Sequence, residues 1–157
     1  MLSASAKKLS LFVLAGILAI GMFVAPSNAL PLIGFNIRGG QYTDTNKAFL
    51  GGGVDVNLLM LKASPNIEWV FIDGGKLYTI NFDASYNISL ATAEVWAGAG
   101  YVLRTTNLDG FDSVTKGGVN LFVGGGLGLV PLKPFAQLKY SYVSDQDEFI
   151  WMLGVRF

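Results

Sequence analysis

The residues with the best claim to chemistry in this sequence are Ser85 and Ser141, each two positions from a charged residue, Asp83 and Lys139. A serine beside a lysine can form a hydrolytic dyad in which the amine takes the hydroxyl proton. A spacing of two also puts residues on one face of an extended strand, so the ordinary polarity of such a face accounts for the same four residues. The chain has no histidine and no cysteine. That removes the commonest general base, the imidazole metal ligand, every thiolate site and every disulfide. Gly124-Gly125-Gly126-Leu127-Gly128 has the glycine density of a phosphate-binding loop but lacks the Lys-Ser/Thr that grips phosphate, and no helix follows. It reads as strand glycines that let a neighbouring side chain approach. Asp109 with Asp112, and Asp145 with Asp147 and Glu148, could offer oxygens to a divalent cation, but acids in such numbers are ordinarily solvated loop residues. No catalytic, metal-binding or cofactor-binding residue is assigned, and the chain is not expected to be an enzyme.

What remains is a set of mid-chain charges, Arg38, Asp55, Glu68, Asp83 and Lys139, whose meaning depends on the elements that carry them. Leu77 to Ile88 reads LYTINFDASYNI. Tyr78, Ile80, Phe82, Ala84, Tyr86 and Ile88 fall on one face, and Thr79, Asn81, Asp83, Ser85 and Asn87 on the other. Such strict alternation is the signature of a strand, and the run is longer than the roughly 5–6 residues usual in soluble sheets. It suits the roughly 9–11 residues that a tilted strand needs to cross a bilayer. The same period predicts eight strands, at 33–42, 48–59, 65–73, 77–88, 92–104, 118–129, 134–143 and 148–157. Turn-type sequences separate them: Thr43-Asp44-Thr45-Asn46, Ala63-Ser64-Pro65, Asp73-Gly74-Gly75-Lys76, Pro131 to Pro134 and Ser144-Asp145-Gln146-Asp147. The polar segment 105–117 is expected to be the one long loop. The fold class is therefore all-β, and an even strand count predicts an antiparallel up-and-down barrel with both ends on one side of the membrane.

Composition agrees. Hydrophobic residues make up 52% of the 157 and charged ones 14%, against roughly 25% charged in soluble domains. Net charge is zero, so no basic surface invites nucleic acid. Lys7 and Lys8 precede the apolar run Leu11 to Ala25, and Ala29 ends a stretch with small residues at the cleavage positions. Residues 1–29 therefore read as a secretory signal peptide and 30–157 as the barrel domain. The apolar run is too short to span a bilayer as a helix.

Volume decides which face is outside. An eight-stranded barrel is just wide enough inside for its own side chains, and the apolar face carries too many large residues to fit there. The opposite face is rich in glycine (Gly34, Gly51, Gly53, Gly98, Gly100, Gly124, Gly126) and small polar groups. The apolar face should meet lipid, with Phe71, Tyr78, Tyr101, Tyr142 and Trp151 in an outer aromatic belt and Phe35, Tyr86 and Phe157 in an inner one. Alternation then directs Arg38, Asp55, Glu68, Asp83 and Lys139 into the lumen at mid-height, with Glu94, Arg104 and Arg156 nearer the ends. Ions of both signs in a narrow lumen are expected to pair and, with Trp96 and Phe122, to plug it; the same charges exchanging partners would instead gate a narrow path.

The last strand places Phe149, Trp151, Leu153, Val155 and Phe157 on one face and ends on an aromatic. This resembles the C-terminal signature of bacterial outer-membrane barrels. Lys133 to Tyr142 with its following acidic turn is similar to the last hairpin of the small barrel family typified by the transmembrane domain of outer membrane protein A, and Trp96-Ala97-Gly98-Ala99-Gly100-Tyr101 to its glycine-rich middle strand. The resemblance implies recognition of the last strand by the barrel-assembly machinery and a monomer surrounded by outer-membrane lipid and lipopolysaccharide. No peptidoglycan-binding domain follows, so wall anchoring is not implied. Enzymatic small barrels depend on histidine, which this chain lacks. The expected role is a non-enzymatic contribution to envelope structure; the alternatives are a narrow channel or transporter for small solutes or hydrophobic molecules, and surface recognition through 105–117. Intact mass spectrometry of the exported protein should find a chain beginning at Leu30, and retention of residues 1–29 would contradict the signal-peptide reading.

Overall fold

The computed structural model describes residues 32–108, 110–128 and 132–157; the segment read as a signal peptide lies outside them. Eight strands follow one another: β1 (Ile33–Tyr42), β2 (Lys47–Leu58), β3 (Leu61–Val70), β4 (Gly75–Ser89), β5 (Ala93–Leu108), β6 (Val114–Leu127), β7 (Lys133–Val143) and β8 (Gln146–Arg156). Each pairs antiparallel with its neighbour in sequence, and β8 returns to pair with β1, closing the barrel.

The closed sheet has an inverted polarity. Phe35, Leu121, Leu138 and Leu153, each more than half exposed, face outward, while Glu68, Asn81, Asn120 and Lys139 are almost fully buried inside. A water-soluble barrel would reverse this, because burying an ion or amide is costly and an exposed apolar belt of this size would aggregate. Two apolar clusters interrupt the polar interior. Tyr42, Phe49, Val70, Ile150 and Met152 lie toward the end bearing the β1–β2 and β7–β8 turns. Trp96, Phe122 and Phe135 lie toward the other end. Glycine makes room for the second cluster: a Cβ on Gly124 would sit 2.5 Å from the Trp96 ring.

Two expected loops are strand. Ala63-Ser64-Pro65 lies within β3, and the true turn is Leu59-Met60. Proline has no N–H to give. Accordingly, the β2–β3 ladder passes from Gly53↔Asn66 to Val56↔Ala63 and omits the positions opposite Ser64 and Pro65. Segment 105–117 is also mostly ladder: β5 runs to Leu108 and β6 starts at Val114, with Thr105 paired to Thr115 and their hydroxyls 2.9 Å apart. Polar composition pointed to a loop there, but the threonines and Val114 favour extended backbone. The strands simply continue past the apolar belt, where outward side chains no longer need to be greasy. Smaller shifts occur at Gly75, Lys76, Lys133, Pro134, Gln146 and Asp147, expected in turns and found in strands. The last turn shrinks to Ser144-Asp145, both at positive φ (50° and 61°), as a tight two-residue hairpin turn of the primed type requires.

Leu59 also adopts positive φ, at 59°, and is fully exposed. The Cβ of an L-residue there crowds its own carbonyl, a strain glycine does not feel. Leu59→Gly should raise the stability of the vesicle-inserted barrel by about 1 kcal/mol, read from its urea unfolding midpoint; a clear loss would show that the leucine side chain contributes more than its backbone costs.

Candidate functional site: the barrel lumen

Residues of one parity on each strand point inward, so the lumen chemistry is set by which of them share a height. The middle layer is built on Lys139 of β7, which reaches across to β3 and β4. Its Nζ lies 2.9 Å from Glu68 Oε1 and 3.9 Å from Asp83 Oδ2, and the three side chains are nearly inaccessible to solvent. Each carboxylate has further donors. Glu68 Oε2 accepts from the Tyr42 hydroxyl at 3.0 Å and the Thr79 hydroxyl at 3.1 Å. Asp83 accepts from Asn66 Nδ2 at 3.0 Å and Asn120 Nδ2 at 3.4 Å. Asn81 links the two amides, donating to Asn66 Oδ1 at 2.9 Å and accepting from Asn120 at 2.8 Å. A buried ion pair is tolerable only when its remaining lone pairs and protons are satisfied in this way. Asp83 fits because Gly100 faces it across the β4–β5 ladder, where a Cβ would collide with Asp83 Oδ1.

The inner layer is centred on Arg156 of β8. Its Nη1 donates to Glu94 Oε2 at 3.0 Å, and its Nε lies 3.4 Å from Asp55 Oδ2. The guanidinium carbon stands 4.1 Å from the centroid of the Trp96 ring and 4.8 Å from that of Phe135, a cation–π stack on both rings. Lys62 reaches Glu94 at 3.3 Å. Asp55 also accepts from Asn36 Nδ2 at 3.0 Å and from the Ser64 hydroxyl. Toward the other end, Arg104 Nη2 meets Glu148 Oε2 at 2.9 Å, and the Thr45 hydroxyl donates to Glu148 Oε1 at 2.7 Å.

Arg38, Asp55, Glu68, Asp83 and Lys139 are thus all inside, though not as one set. Lys139, Glu68 and Asp83 come together. Asp55 joins Arg156, and Arg38 donates to the Asn36 side-chain Oδ1 at 3.0 and 2.8 Å, with no ion pair among the described residues. Two ions escaped the sequence reading. Lys62 fell in a supposed linker, although it shares the parity of Asn66 and Glu68. Glu148, expected among the solvated loop acids, is buried. The Ser85 hydroxyl donates to Asn87 Oδ1 at 2.8 Å and the Lys139 amine donates to Glu68; Ser141 is buried on the lumen face two positions from Lys139. Between the middle and inner layers a void of about 20 Å³ remains, lined in part by Arg38, Asp55, Lys62 and Arg156, room for about one water.

Removing Lys139 leaves two carboxylates buried together. Lys139→Met should destabilise the barrel by about 3–5 kcal/mol in urea titrations, and adding Glu68→Gln should recover part of that loss. Equal stability of Lys139→Met and the parent would mean that the pair carries no net interaction.

No protein-family model matches the chain, and no curated protein matches its sequence. Solved structures do match. The N-terminal β-barrel domain of Pseudomonas aeruginosa OprF aligns with a TM-score of 0.68 at 17% identity, covering 80% of this chain and 95% of that one. Neisserial surface protein A aligns at 0.63 and 15% identity, covering 79% and 94%. Ail of Yersinia pestis, solved with the heparin analogue sucrose octasulfate, aligns at 0.54 and 16% identity, covering 80% and 96%. The chain has the fold of the small eight-stranded outer-membrane β-barrels.

Proposed function

We propose that the protein is a non-enzymatic structural barrel of the bacterial outer membrane, exported by a signal peptide cleaved after Ala29 and closed to solutes along its axis. The observation that carries this reading is the filled lumen. Ion pairs at three heights and the Trp96–Phe122–Phe135 cluster leave a space of about 20 Å³ between the middle and inner layers. A hydrated ion does not fit there, and stripping the water from a cation has no compensation in a lumen whose carboxylates Asp55, Glu68, Asp83, Glu94 and Glu148 already have cationic partners. The outward apolar belt supports residence in lipid. Orientation follows from the turns: Asp44, Asp73 and Asp145 lie at the end away from the termini, where polar headgroups and divalent ions of lipopolysaccharide would meet them, whereas the Leu59-Met60 turn at the other end is uncharged. Phe149, Trp151, Leu153, Val155 and Phe157 project outward along and just beyond β8, all half-exposed except Val155, and are available as the signal read by the assembly machinery. Pairing is complete within one chain, so a monomer suffices.

Planar-bilayer recordings of the purified protein test closure. The parent should give no steady openings, and Trp96→Ala combined with Phe122→Ala should produce them by emptying the inner cluster. Steady nanosiemens-scale openings of the parent would replace this reading with a channel.

A further inference from the structure

The β5–β6 hairpin changes its polarity as it leaves the barrel. Within the apolar belt its outward residues are Val95, Tyr101, Val119 and Leu121, and its inward ones include Gly100 and Asn120. Beyond Leu103 the pattern inverts. Outward positions become Asn107 and Thr115, with Thr105 at the same parity but buried and bonded to Thr115, while Leu108 and Val114 join Thr106 at the inward parity. The inversion places this extension in water on its outer side and turns an apolar wall toward the mouth. That wall is bare: Leu108, Val114 and Phe111 are 43%, 51% and 77% exposed. With Val143 of β7 it borders a cavity of about 570 Å³, within the range of about 300–1,000 Å³ typical of small-molecule sites.

The floor of the cavity is cationic. Arg104 and Lys116 are direct partners across the β5–β6 ladder, both on the inward face and both lining the cavity. Like charges so opposed repel. Glu148 compensates Arg104 through one terminal nitrogen, but the buried Arg104 Nε has no hydrogen-bond partner. Among the described residues Lys116 has no ion pair, and Asp112, the one described carboxylate in the cavity lining, has none either.

From this arrangement we infer that the outer mouth binds an amphiphile with an anionic head, its head between Arg104 and Lys116 and an alkyl chain along Leu108, Phe111, Val114 and Val143. Such a ligand supplies an anionic partner for Lys116 and for the open Nε of Arg104, and an apolar cover for the wall, with the Asp112 carboxylate remaining at the rim. The head could belong to a free alkyl anion or to an anionic lipid, since the recognising chemistry is the same. This inference rests on the membrane-barrel reading for its orientation.

Binding of dodecanoate is measured on the barrel in nanodiscs of zwitterionic phospholipid, with empty discs as reference and dodecyltrimethylammonium as the cationic control. Heat-modifiable gel migration first establishes that each variant is a folded barrel; failure at that stage rejects the membrane-barrel reading itself. Saturable binding of dodecanoate above empty discs is expected, with none for the cation. Lys116→Gln and Val114→Asn, both at solvent-exposed positions, should each weaken binding about tenfold, the effect of one lost charge-assisted contact or one spoiled apolar contact. Including phosphatidylglycerol in the disc separates the sources: competition assigns the site to a lipid headgroup, and its absence assigns it to a free amphiphile. The inference is overturned if dodecanoate binds no better than to empty discs, if the cation binds equally, or if neither substitution weakens binding. Efficient disulfide pairing of Gly110→Cys barrels without dodecanoate binding would overturn it in favour of a second copy of the chain.

Discussion

A sheet surrounded by lipid has no water to satisfy its edges, and each unpaired N–H or C=O there costs several kcal/mol. Closure of β1 on β8 removes the last two edges of this barrel, from Asn36↔Arg156 to Tyr42↔Ile150. The seam extends one step further, to the final residue: Phe157 donates its N–H to the Phe35 carbonyl at 2.9 Å and accepts from the Phe35 N–H at 3.4 Å. Phe157 therefore extends the ladder as well as the lipid-facing row of its strand. Shortening the chain by that residue would expose backbone polar groups of β1 at the inner rim.

Closing with eight strands fixes the circumference, and the circumference dictates what can stand inside. Several large side chains enter where glycine faces them, as Trp96 does against Gly124 and Asp83 against Gly100. Ions enter only in company. The five buried or largely buried cations Arg38, Lys62, Arg104, Lys139 and Arg156 are balanced by the five anions Asp55, Glu68, Asp83, Glu94 and Glu148. Arg38 relies on the Asn36 amide instead of a carboxylate, a cheaper arrangement than it would be in hydrocarbon because neighbouring layers supply negative charge. Stability and closure are two consequences of the same filled space.

Much of this was legible because a lipid-facing strand must alternate. Eight strands, their faces and the inward set Arg38, Asp55, Glu68, Asp83 and Lys139 all follow from parity. Parity gives a side but not a height, and partners across the lumen depend on the stagger of strands far apart in sequence. That is why Asp55 meets Arg156 and not Arg38. Lys62 was missed for a different reason: Ser64 and Pro65 look like a turn, yet a strand can hold proline where its ladder skips a bond. The 105–117 segment misled through composition, since outside the bilayer a strand no longer needs an apolar outer face. Residues 1–29 lie outside the described chain, and their reading rests on the charged, apolar and small-residue order alone.

The central claim is a folded eight-stranded barrel resident in the outer membrane. Fractionating cells that express the full chain, and running the outer-membrane fraction on gels with and without boiling, tests it most directly. A β-barrel held closed by β1–β8 pairing should appear in that fraction and migrate faster unboiled than boiled, as compact barrels resist the detergent until heated. A soluble periplasmic protein with a single heat-independent band would contradict the account.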